Sequence, residues 1–254
     1  MSRLRTQPIR TDEELQRFFD EVALDYRDQH GHPEKLLGYR LSIIQPLIGE
    51  TNGRTLLEIG CGTGNHLFAL ADRFDRLIGT DLSPGMIEQA RAILACRGPG
   101  DRFTLAVDRA ERLSTVSDET IDVVLCVGAF EHMSDKAGVL VQVRRVLKTG
   151  GRFVCLTPNG DYIWYRLLAP VLGIDTRHLS TDRFVTLPVI RETVSGAGLK
   201  LFDSGYWTFI PRGDVGPVLS VLLALIDWAG RYLGIRAWRG GIYFKAVKSA
   251  THRV

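Results

Sequence analysis

Short apolar runs alternate with segments of helical period through the middle of the chain. The apolar runs cover 55–59, 77–79, 103–107, 121–127 and 151–156, with helical segments between them at about 64–73, 84–97 and 134–147. Alternation of this kind predicts a parallel sheet with helices on both faces. Because the run at 121–127 is almost entirely apolar, we expect that strand to be covered on both sides.

Two helices are predicted ahead of the alternation. Thr11 and Glu14 form a capping box that begins a helical pattern over 11–30. A second helical pattern covers 33–48. We expect these helices to form an N-terminal cap over residues 1–50.

The pattern changes again beyond Pro158. Aromatic residues without a clear period occupy 159–183, which predicts an inserted lid or loop. The elements expected after it are a helix at 187–196, a strand at 199–208, an apolar helix at 217–233 and a strand at 242–247. The two added strands bring the total to seven. The predicted fold is therefore α/β, a doubly wound and mostly parallel seven-stranded sheet in one domain over 51–254.

Composition and charge exclude several classes of function. Hydrophobic residues make up 45% of the 254 residues and charged residues 24%, as in an average globular protein. The net charge is only +3 and the arginines are scattered, so we expect no nucleic-acid partner, which would require a dense basic patch. No stretch reaches the roughly 18 apolar residues that a membrane-spanning helix needs.

The cysteines indicate the compartment. They lie far apart, with no C-x-x-C pair and no histidine at metal-ligand spacing, so we expect no metal site and a reducing environment. The first residues lack the apolar segment of a secretory signal. The expected location is the cytoplasm.

A glycine-rich turn follows the first predicted strand, in the segment Leu56-Leu57-Glu58-Ile59-Gly60-Cys61-Gly62-Thr63-Gly64. Closely spaced glycines let the backbone approach a ligand, and the helix that follows offers free N–H groups. The dinucleotide fingerprint G-x-G-x-x-G would need glycine at Asn65, and no phosphate-binding G-x-x-x-x-G-K is present. We therefore expect a ligand with an adenosine-like body and no phosphate chain.

An acidic residue ends the next predicted strand. Asp81 follows Gly60 at the spacing at which a carboxylate can accept both ribose hydroxyls of a nucleoside. Leu82 comes next and could pack on the adenine face. The alternative role for Asp81 is to cap the helix that begins near Pro84, and the two roles are compatible.

Four segments in order resemble the class I S-adenosylmethionine (SAM)-dependent methyltransferases, and the resemblance covers about 18–160. They are L-L-E-I-G-C-G-T-G at 56–64, I-G-T-D-L-S-P-G-M-I-E-Q-A at 78–90, I-D-V-V-L-C-V-G-A-F-E-H at 121–132 and V-R-R-V-L-K-T-G-G-R-F at 143–153. The third looks like the type-11 and quinone-biosynthesis branch, in which this strand ends in a Glu-His pair. The resemblance implies SAM as cofactor.

The resemblance also implies which residues hold SAM. The expected set is Tyr26, Arg40, Glu58, Gly60, Cys61, Gly62, Gly64, Asp81, Leu82, Asp108, Arg109, Ala110 and Val127. In the family the first motif holds the methionine end, the acid after strand two holds the ribose and the loop after strand three holds the adenine.

Two of these assignments leave alternatives open. Family members often carry Gly-Asp-Ala-Glu after strand three, whereas this chain has Asp108-Arg109 ahead of Ala110. The adenine contact is therefore expected either from Asp108 or from backbone N–H groups. Tyr26 and Arg40 are candidates near the methionine carboxylate because the first helix resembles a segment that closes over the cofactor, but Tyr26 suits a core position equally well.

A general base is expected among the histidines. The N/D-P-P-Y/F motif of amino-group and nucleic-acid methyltransferases is absent, which argues against adenine or cytosine methylation. His132 lies just past strand four, at the edge where ligands bind, and His178 lies in the predicted lid. His132 could instead cap the following helix, and His178 could be a solvent-exposed side chain.

The apolar helix at 217–233 has three possible roles: packing in the core or a homodimer, forming a wall for a lipophilic substrate, or lying on a membrane surface with the aromatic and arginine residues up to 238 at the headgroups. Together with the aromatic lid it favours an apolar acceptor, such as a quinone precursor, an isoprenoid or a polyketide-like molecule.

The sequence thus predicts an enzyme that transfers a methyl group from SAM to oxygen or carbon of a small hydrophobic acceptor. One alternative is a relative that binds SAM without catalysis. The other is a nicotinamide-dependent oxidoreductase, which would share the sheet but is disfavoured by Asn65.

Overall fold

The computed structural model describes residues 8–24, 33–51, 54–97, 100–174, 179, 182–210 and 216–250. The strands of the sheet are β1 (Thr55–Ile59), β2 (Arg76–Asp81), β3 (Phe103–Val107), β4 (Ile121–Val127), β5 (Leu147–Pro158), β6 (Lys200–Trp207) and β7 (Gly241–Val247). The α-helices are α1 (Asp12–Val22), α2 (Pro33–Ile48), α3 (Asn65–Ala69), α4 (Pro84–Ala95), α5 (Lys136–Val146), α6 (Ala169–Val171), α7 (Leu187–Gly196) and α8 (Pro217–Leu233).

The seven strands form one sheet in the order β3-β2-β1-β4-β5-β7-β6. β7 runs antiparallel to both of its neighbours, and the other pairings are parallel. The predicted fold class is thereby confirmed. The strand order reverses between β1 and β4, and open α/β sheets bind ligands at the carboxyl ends of the strands beside such a reversal.

The central strand β4 is almost entirely apolar because both faces of the sheet are covered at this strand. Val123, Leu125 and Val127 pack with α2, α3 and α4 on one face of the sheet. Val124 and Cys126 pack with α5 and α7 on the other face. Successive side chains of a strand point to opposite faces, so a strand covered on both sides needs apolar residues at every position.

The predicted N-terminal helix is present but shorter in the described part. The Glu14 N–H donates to Thr11 Oγ1 at 3.2 Å, and the Thr11 N–H donates back to the Glu14 carboxylate, as the capping box requires. The helix ends at Val22, and residues 25–30 lie outside the described residues. Whether 1–50 acts as a cap stays a prediction.

Three α-helices are shorter than predicted. The segment at 64–73 is the short α3 followed by a 3-10 turn at Ala71–Arg73, α4 ends at Ala95, and α5 ends at Val146. After Leu70 the hydrogen bonding changes to the 3-10 pattern, in which the Arg73 N–H donates to Leu70 O at 3.0 Å, and the backbone becomes extended at Phe74. Helix ends are the least determined part of a helical pattern.

The segment predicted as a loop or lid at 159–183 contains helix. A π-helical turn at Trp164–Leu168 continues into α6, and its side chains pack under α8. The helix at 164–171 was not predicted because a π turn has hydrogen bonds from residue i to i+5 and therefore departs from the 3.6-residue period. The role of 159–183 as a lid stays a prediction. α8 itself begins and ends at the predicted residues. Within the described part of the chain, no helix is long and apolar enough to cross a membrane.

Candidate active site

A cleft opens at the carboxyl ends of β1, β2 and β4, with about 730 Å³ of space between its walls. Its floor comes from the turns after these strands, and α1 forms its outer wall. The lining residues are Asp12, Leu15, Phe19, Gly60, Gly62, Asp81, Leu82, Met86, Asp108, Arg109, Ala110, Glu111, Gly128, Ala129, His132 and Met133. Eight of these lining residues were not among the predicted site residues, and most of the eight are apolar or belong to α1.

Gly60 is glycine for two separate reasons. Its φ is +64°, a left-handed backbone that side chains disfavour. A Cβ built there would also lie 2.4 Å from Cβ of Ala129, in the turn after β4. The turns after β1 and β4 therefore touch, and this contact forms the floor of the cleft.

Asp81 connects the first two motifs. Its Oδ2 accepts a hydrogen bond from the Gly62 N–H at 2.8 Å, and its Oδ1 accepts one from the Ser83 N–H at 3.0 Å. Burial raises the pKa of Asp81, and the nearby carboxylates add to that rise while the two N–H donors oppose it. Ser83 caps α4 through the Met86 N–H, so Asp81 is not the cap of that helix.

Three polar side chains beside the glycine turn are buried with unsatisfied atoms. Glu58 Oε1 lies 3.2 Å from His66 Nδ1. Glu58 Oε2, His66 Nε2 and Thr63 Oγ1 have no hydrogen-bond partner among the described residues. Buried polar atoms are normally paired, and leaving them unpaired is costly. A ligand with its own donors and acceptors at this turn, such as the amino acid end of SAM, fits that requirement.

The helix α1 is fixed across the cleft at both of its ends. Asp20 Oδ1 accepts hydrogen bonds from Ser83 Oγ at 2.5 Å and from the Gly85 N–H at 2.9 Å. At the other end, Asp12 Oδ2 accepts a hydrogen bond from Arg109 Nη2 at 2.7 Å. The Arg109 side chain, expected to contact the cofactor, is thus engaged with α1.

The Asp108 carboxylate is fully occupied by its own loop. Oδ1 accepts hydrogen bonds from the Arg109 N–H and the Ser114 hydroxyl, and Oδ2 accepts them from the N–H and the hydroxyl of Thr115. Burial raises the pKa of Asp108, but these hydrogen bonds outweigh burial and lower it. Asp108 therefore shapes the loop after β3. Of the two open alternatives for the adenine contact, the geometry favours the backbone, where Ala110 lines the cleft.

Arg40 approaches the cleft from α2. Its guanidinium lies over the Trp207 ring, 5.9 Å from the ring centroid. A Cβ built on Gly128 would lie 3.8 Å from Arg40 Nη2, and Gly128 lines the cleft. This position is suited to a carboxylate bound at the turn after β4.

Other predicted residues do not line the cleft with their side chains. Cys61 and Val127 pack in the core, and burial raises the pKa of the Cys61 thiol. Gly64 begins α3 with its φ at +82° beside the Phe68 ring. Tyr26 and His178 lie outside the described residues.

His132 is held by a buried carboxylate. Its Nδ1 lies 2.6 Å from Oδ1 of Asp182, whose Oδ2 accepts a hydrogen bond from the Leu179 N–H at 3.1 Å. The Phe19 ring meets the imidazole edge-on at 5.6 Å. The cap of α5 is Asp135, through the Gly138 N–H, so His132 does not cap that helix.

The second ring nitrogen of His132 is available for chemistry. Nε2 has no hydrogen-bond partner among the described residues, and the side chain lines the cleft. Burial lowers the pKa of His132, but the hydrogen bond to Asp182 and the charges of Asp182 and Glu131 outweigh burial and raise it. A carboxylate on Nδ1 fixes the tautomer in which Nε2 carries the lone pair, and that atom can accept a proton.

Sequence reasoning missed two acids beneath this histidine. Asp182 comes from the segment after β5, where no period or motif marked it. Glu131 is buried, accepts a hydrogen bond from Thr157 Oγ1 at 3.2 Å, and has its pKa raised by burial. Its position in the Glu-His pair at the end of β4 was the only available signal. Within the described residues, no group of three or more acid, histidine or cysteine side chains could hold a metal ion.

Sequence comparisons find methyltransferases that are similar to this chain. A family model described as a methyltransferase domain matches residues 56–151. The chain is 32% identical over 212 residues to Methyltransferase-like protein 27 of Homo sapiens, covering 80% of this chain and 82% of the relative. It is 31% identical over 112 residues to a ubiquinone biosynthesis O-methyltransferase of Nitrosomonas europaea, covering 44% and 47%. Of three further curated relatives the chain spans between 36% and 55% of their length.

Solved structures share the fold at low identity. Geranyl diphosphate C-methyltransferase of Streptomyces coelicolor, solved with S-adenosyl-L-homocysteine, superposes with a TM-score of 0.70 at 14% identity, covering 95% of this chain and all of that one. The [4+2]-cyclase SpnF superposes with a TM-score of 0.69 at 20% identity, covering 97% and 100%. The sheet order, the family model and the similarity to the human relative together show that this chain belongs to the class I SAM-dependent methyltransferase family.

Proposed function

We propose that this protein transfers a methyl group from SAM to an oxygen or an acidic carbon of a small apolar acceptor, with His132 as the general base. The observation that carries the proposal is the unpartnered Nε2 of His132 in the cleft, with Nδ1 held 2.6 Å from Asp182. An acceptor that must lose a proton needs such a base, because methyl transfer leaves a positive charge on a protic nucleophile.

Different residues around the cleft would contact different parts of the cofactor. Gly60 and Gly62 would let the backbone approach the methionine end, with the unsatisfied Oε2 of Glu58 as a partner for its amino group. Asp81 would accept the ribose hydroxyls, since each carboxylate oxygen has a second lone pair beyond its N–H donor. Bound SAM supplies an electrophilic methyl group on a sulfonium.

The protein's own contribution is to position the acceptor and to move one proton. Leu15, Phe19 and Met133 give the cleft apolar walls beside His132. Such walls exclude water and hold an apolar acceptor close to the reacting atoms, which is the main requirement for an in-line displacement. The likeness to relatives named for ubiquinone and demethylmenaquinone methylation supports an aromatic or isoprenoid acceptor.

A second candidate function comes from the cyclase SpnF. Its fold matches this chain over nearly the full length, so the fold alone does not fix methyl transfer as the reaction. The second candidate is therefore a relative that binds SAM without transferring its methyl group. Family membership sets aside the nicotinamide-dependent oxidoreductase.

Calorimetry with S-adenosylhomocysteine tests the cofactor site. The Asp81→Asn variant should bind at least about tenfold more weakly, because it loses charge-assisted hydrogen bonds to the ribose. Asp75→Asn is the matched control, since Asp75 is exposed in the turn before β2. Equal affinity of the two variants would contradict the assignment of Asp81.

Turnover with isotope-labelled SAM tests the base. A panel of phenolic, isoprenoid and polyketide acceptors identifies a substrate, and His132→Gln should then lower kcat by roughly a hundredfold or more while S-adenosylhomocysteine affinity is kept. His178→Gln, made in parallel, tests the other predicted base. Retained turnover in His132→Gln would refute the role of His132, and cofactor binding without methyl transfer to any acceptor would favour the second candidate.

A further inference from the structure

The helix α8 carries apolar side chains on two opposite faces. On the inner face, Leu223 is fully buried and packs with Leu219 and Ile226 against the aromatic side chains of the segment before α6. The outer face is just as apolar, but it is exposed. It consists of Val218, Val221, Leu222, Leu225, Trp228 and Tyr232, and we call these six residues the outer face of α8.

The exposure of this face is large for such side chains. Val218 is 85% exposed, Trp228 is 64% exposed and Tyr232 is 83% exposed. The neighbouring helical segment adds Val171 and Leu172, also more than half exposed. A helix that is apolar all round is normally buried, and contiguous exposed apolar patches of this kind mark interaction surfaces.

The charges around the outer face are positive. Residues 161–174 and 217–239 together hold four arginines against two aspartates. Both aspartates are occupied, Asp161 by Arg166 and Asp227 by Arg239. Arg231 and Arg236 are exposed and have no carboxylate partner among the described residues.

The two aromatic residues of the face lie at the same end as these cations. Trp228 and Tyr232 stack with their ring centroids 5.9 Å apart and their planes 21° apart. Arg231 lies between them in the sequence, three positions after Trp228 and directly before Tyr232. Amphipathic aromatic rings next to arginines are typical of helices that lie in the headgroup region of a bilayer.

We propose that the outer face of α8 binds the surface of a lipid bilayer that contains anionic lipids. The helix would lie in the plane of the interface, with its six apolar side chains below the headgroups and Arg231 and Arg236 among the phosphates. A second copy of the chain suits the face less well. A twofold contact would set the arginines of this patch against the same patch, with no free carboxylate from either segment to pair with them.

The helix α8 lies near the part of the chain that carries Asp182, the hydrogen-bond partner of His132. Tyr165, which packs in the cluster under α8, lies with its ring centroid 4.5 Å from that of Phe184. Phe184 follows Asp182 by two residues. A bilayer contact at α8 therefore brings the side of the cleft that holds His132 close to a membrane, where apolar acceptors concentrate. The binding itself does not depend on methyl transfer.

Co-sedimentation of the full chain with vesicles tests the proposal. The probes are vesicles of phosphatidylcholine alone and of phosphatidylcholine mixed with phosphatidylglycerol, at low and high salt. The chain should sediment with the anionic vesicles, with binding weakened by salt and by Arg231→Gln/Arg236→Gln by about tenfold or more. Trp228 fluorescence should shift to the blue on binding, and brominated lipid should quench it.

A matched pair of variants identifies the surface. Val221→Glu should weaken vesicle binding at least about tenfold. Val141→Glu introduces the same change at a half-exposed position in the middle of α5 and should leave vesicle binding unchanged. Binding of S-adenosylhomocysteine should be equal in both variants, which shows that each is folded and separates this proposal from the proposed function.

Three results would overturn the proposal. One is that the wild-type chain sediments with neither kind of vesicle. Another is that Val221→Glu and Val141→Glu reduce vesicle binding equally. The third is that light scattering shows a dimer which Val221→Glu converts to a monomer, because the outer face would then be an interface between copies.

Discussion

The Nδ1 atom of His132 lies 2.6 Å from Oδ1 of Asp182, although fifty positions of chain separate the two residues. His132 follows β4, and Asp182 comes from the segment after the π-helical insert. Asp182 is itself 98% shielded from solvent at its side chain and is fixed by the Leu179 N–H. The insert after β5 therefore completes the site that the parallel strands begin.

This pair predicts a pH dependence. Only neutral His132 can accept a proton, so kcat should fall at low pH as the imidazole becomes charged. Because Asp182 raises the pKa of His132, Asp182→Asn should move this acid limb to lower pH and also reduce kcat. The measurement is kcat against pH for both proteins, with the KM for SAM unchanged. A loss of kcat with the acid limb in its original place would assign Asp182 a merely structural role.

Arg40 should recognise the carboxylate of the cofactor. Its guanidinium lies close to Gly128 at the cleft. Arg40→Met keeps the aliphatic stem over Trp207 and removes the charge, so affinity for S-adenosylhomocysteine should fall by about tenfold, as expected for one charge-assisted hydrogen bond. Affinity for 5′-methylthioadenosine, which has no carboxylate, should not change. A parallel loss for both ligands in calorimetry would mean that Arg40 supports the site only indirectly.

Alanine substitutions at Gly60 and Gly150 should distinguish the cost of a left-handed backbone from the cost of a steric clash. Gly60 and Gly150 both have left-handed φ values, +64° and +79°. A Cβ on Gly150 would meet nothing within 4 Å, whereas one on Gly60 would meet Ala129 at 2.4 Å. Gly150→Ala should therefore lower the free energy of unfolding by about 1–2 kcal/mol, the cost of the left-handed backbone alone. Gly60→Ala should cost more and also abolish cofactor binding.

Urea denaturation and calorimetry of both variants check this prediction. Equal destabilisation by the two substitutions would show that the contact between the turns after β1 and β4 relaxes without cost. Retained cofactor binding in Gly60→Ala would show that the floor of the cleft tolerates a methyl group.

Asp227 should be the main polar link between α8 and the sheet. Its carboxylate accepts hydrogen bonds from Thr208 Oγ1 at 2.6 Å, from Arg239 Nε at 3.3 Å and from the Gly240 N–H at 3.2 Å. Asp227→Ala removes the carboxylate partner of Arg239, whose side chain is only 12% exposed, and should lower the free energy of unfolding by about 3–5 kcal/mol.

The control for that variant is an exposed ion pair. Asp118 pairs with Arg145 at the surface, and Asp118→Ala should cost no more than about 1 kcal/mol. The two variants are compared by urea denaturation. A cost for Asp227→Ala as small as that for Asp118→Ala would mean that α8 is held by its apolar contacts alone.

The sheet could be predicted from the sequence because buried strands appear as short apolar runs. The apolar run at 121–127 and the acid at the end of β2 each follow from local chemistry, so the fold class and the place of Asp81 could be predicted. The carboxyl ends of parallel strands share one edge, which is why Gly60 and His132 could be expected near one another.

Contacts made by distant or irregular segments could not be predicted in the same way. Asp182 has no neighbours in sequence that mark it, and only the fold brings it to His132. The family resemblance makes Asp108 one of two candidates for the adenine contact, but the sequence does not show that Ser114 and Thr115 occupy its carboxylate. A sequence motif identifies the candidate residues, but only the structure shows which of their side chains already have hydrogen-bond partners within the protein.

The segment that carries α8 begins and ends at one place in the sheet. Trp207 and Gly241 are direct partners in the sheet, so the chain leaves β6 and re-enters at β7 at one place. Neighbouring antiparallel strands can be joined by as few as two residues, and this chain uses the same junction to carry α8. The segment that carries α8 is therefore connected to the sheet at a single point, two strands away from β4.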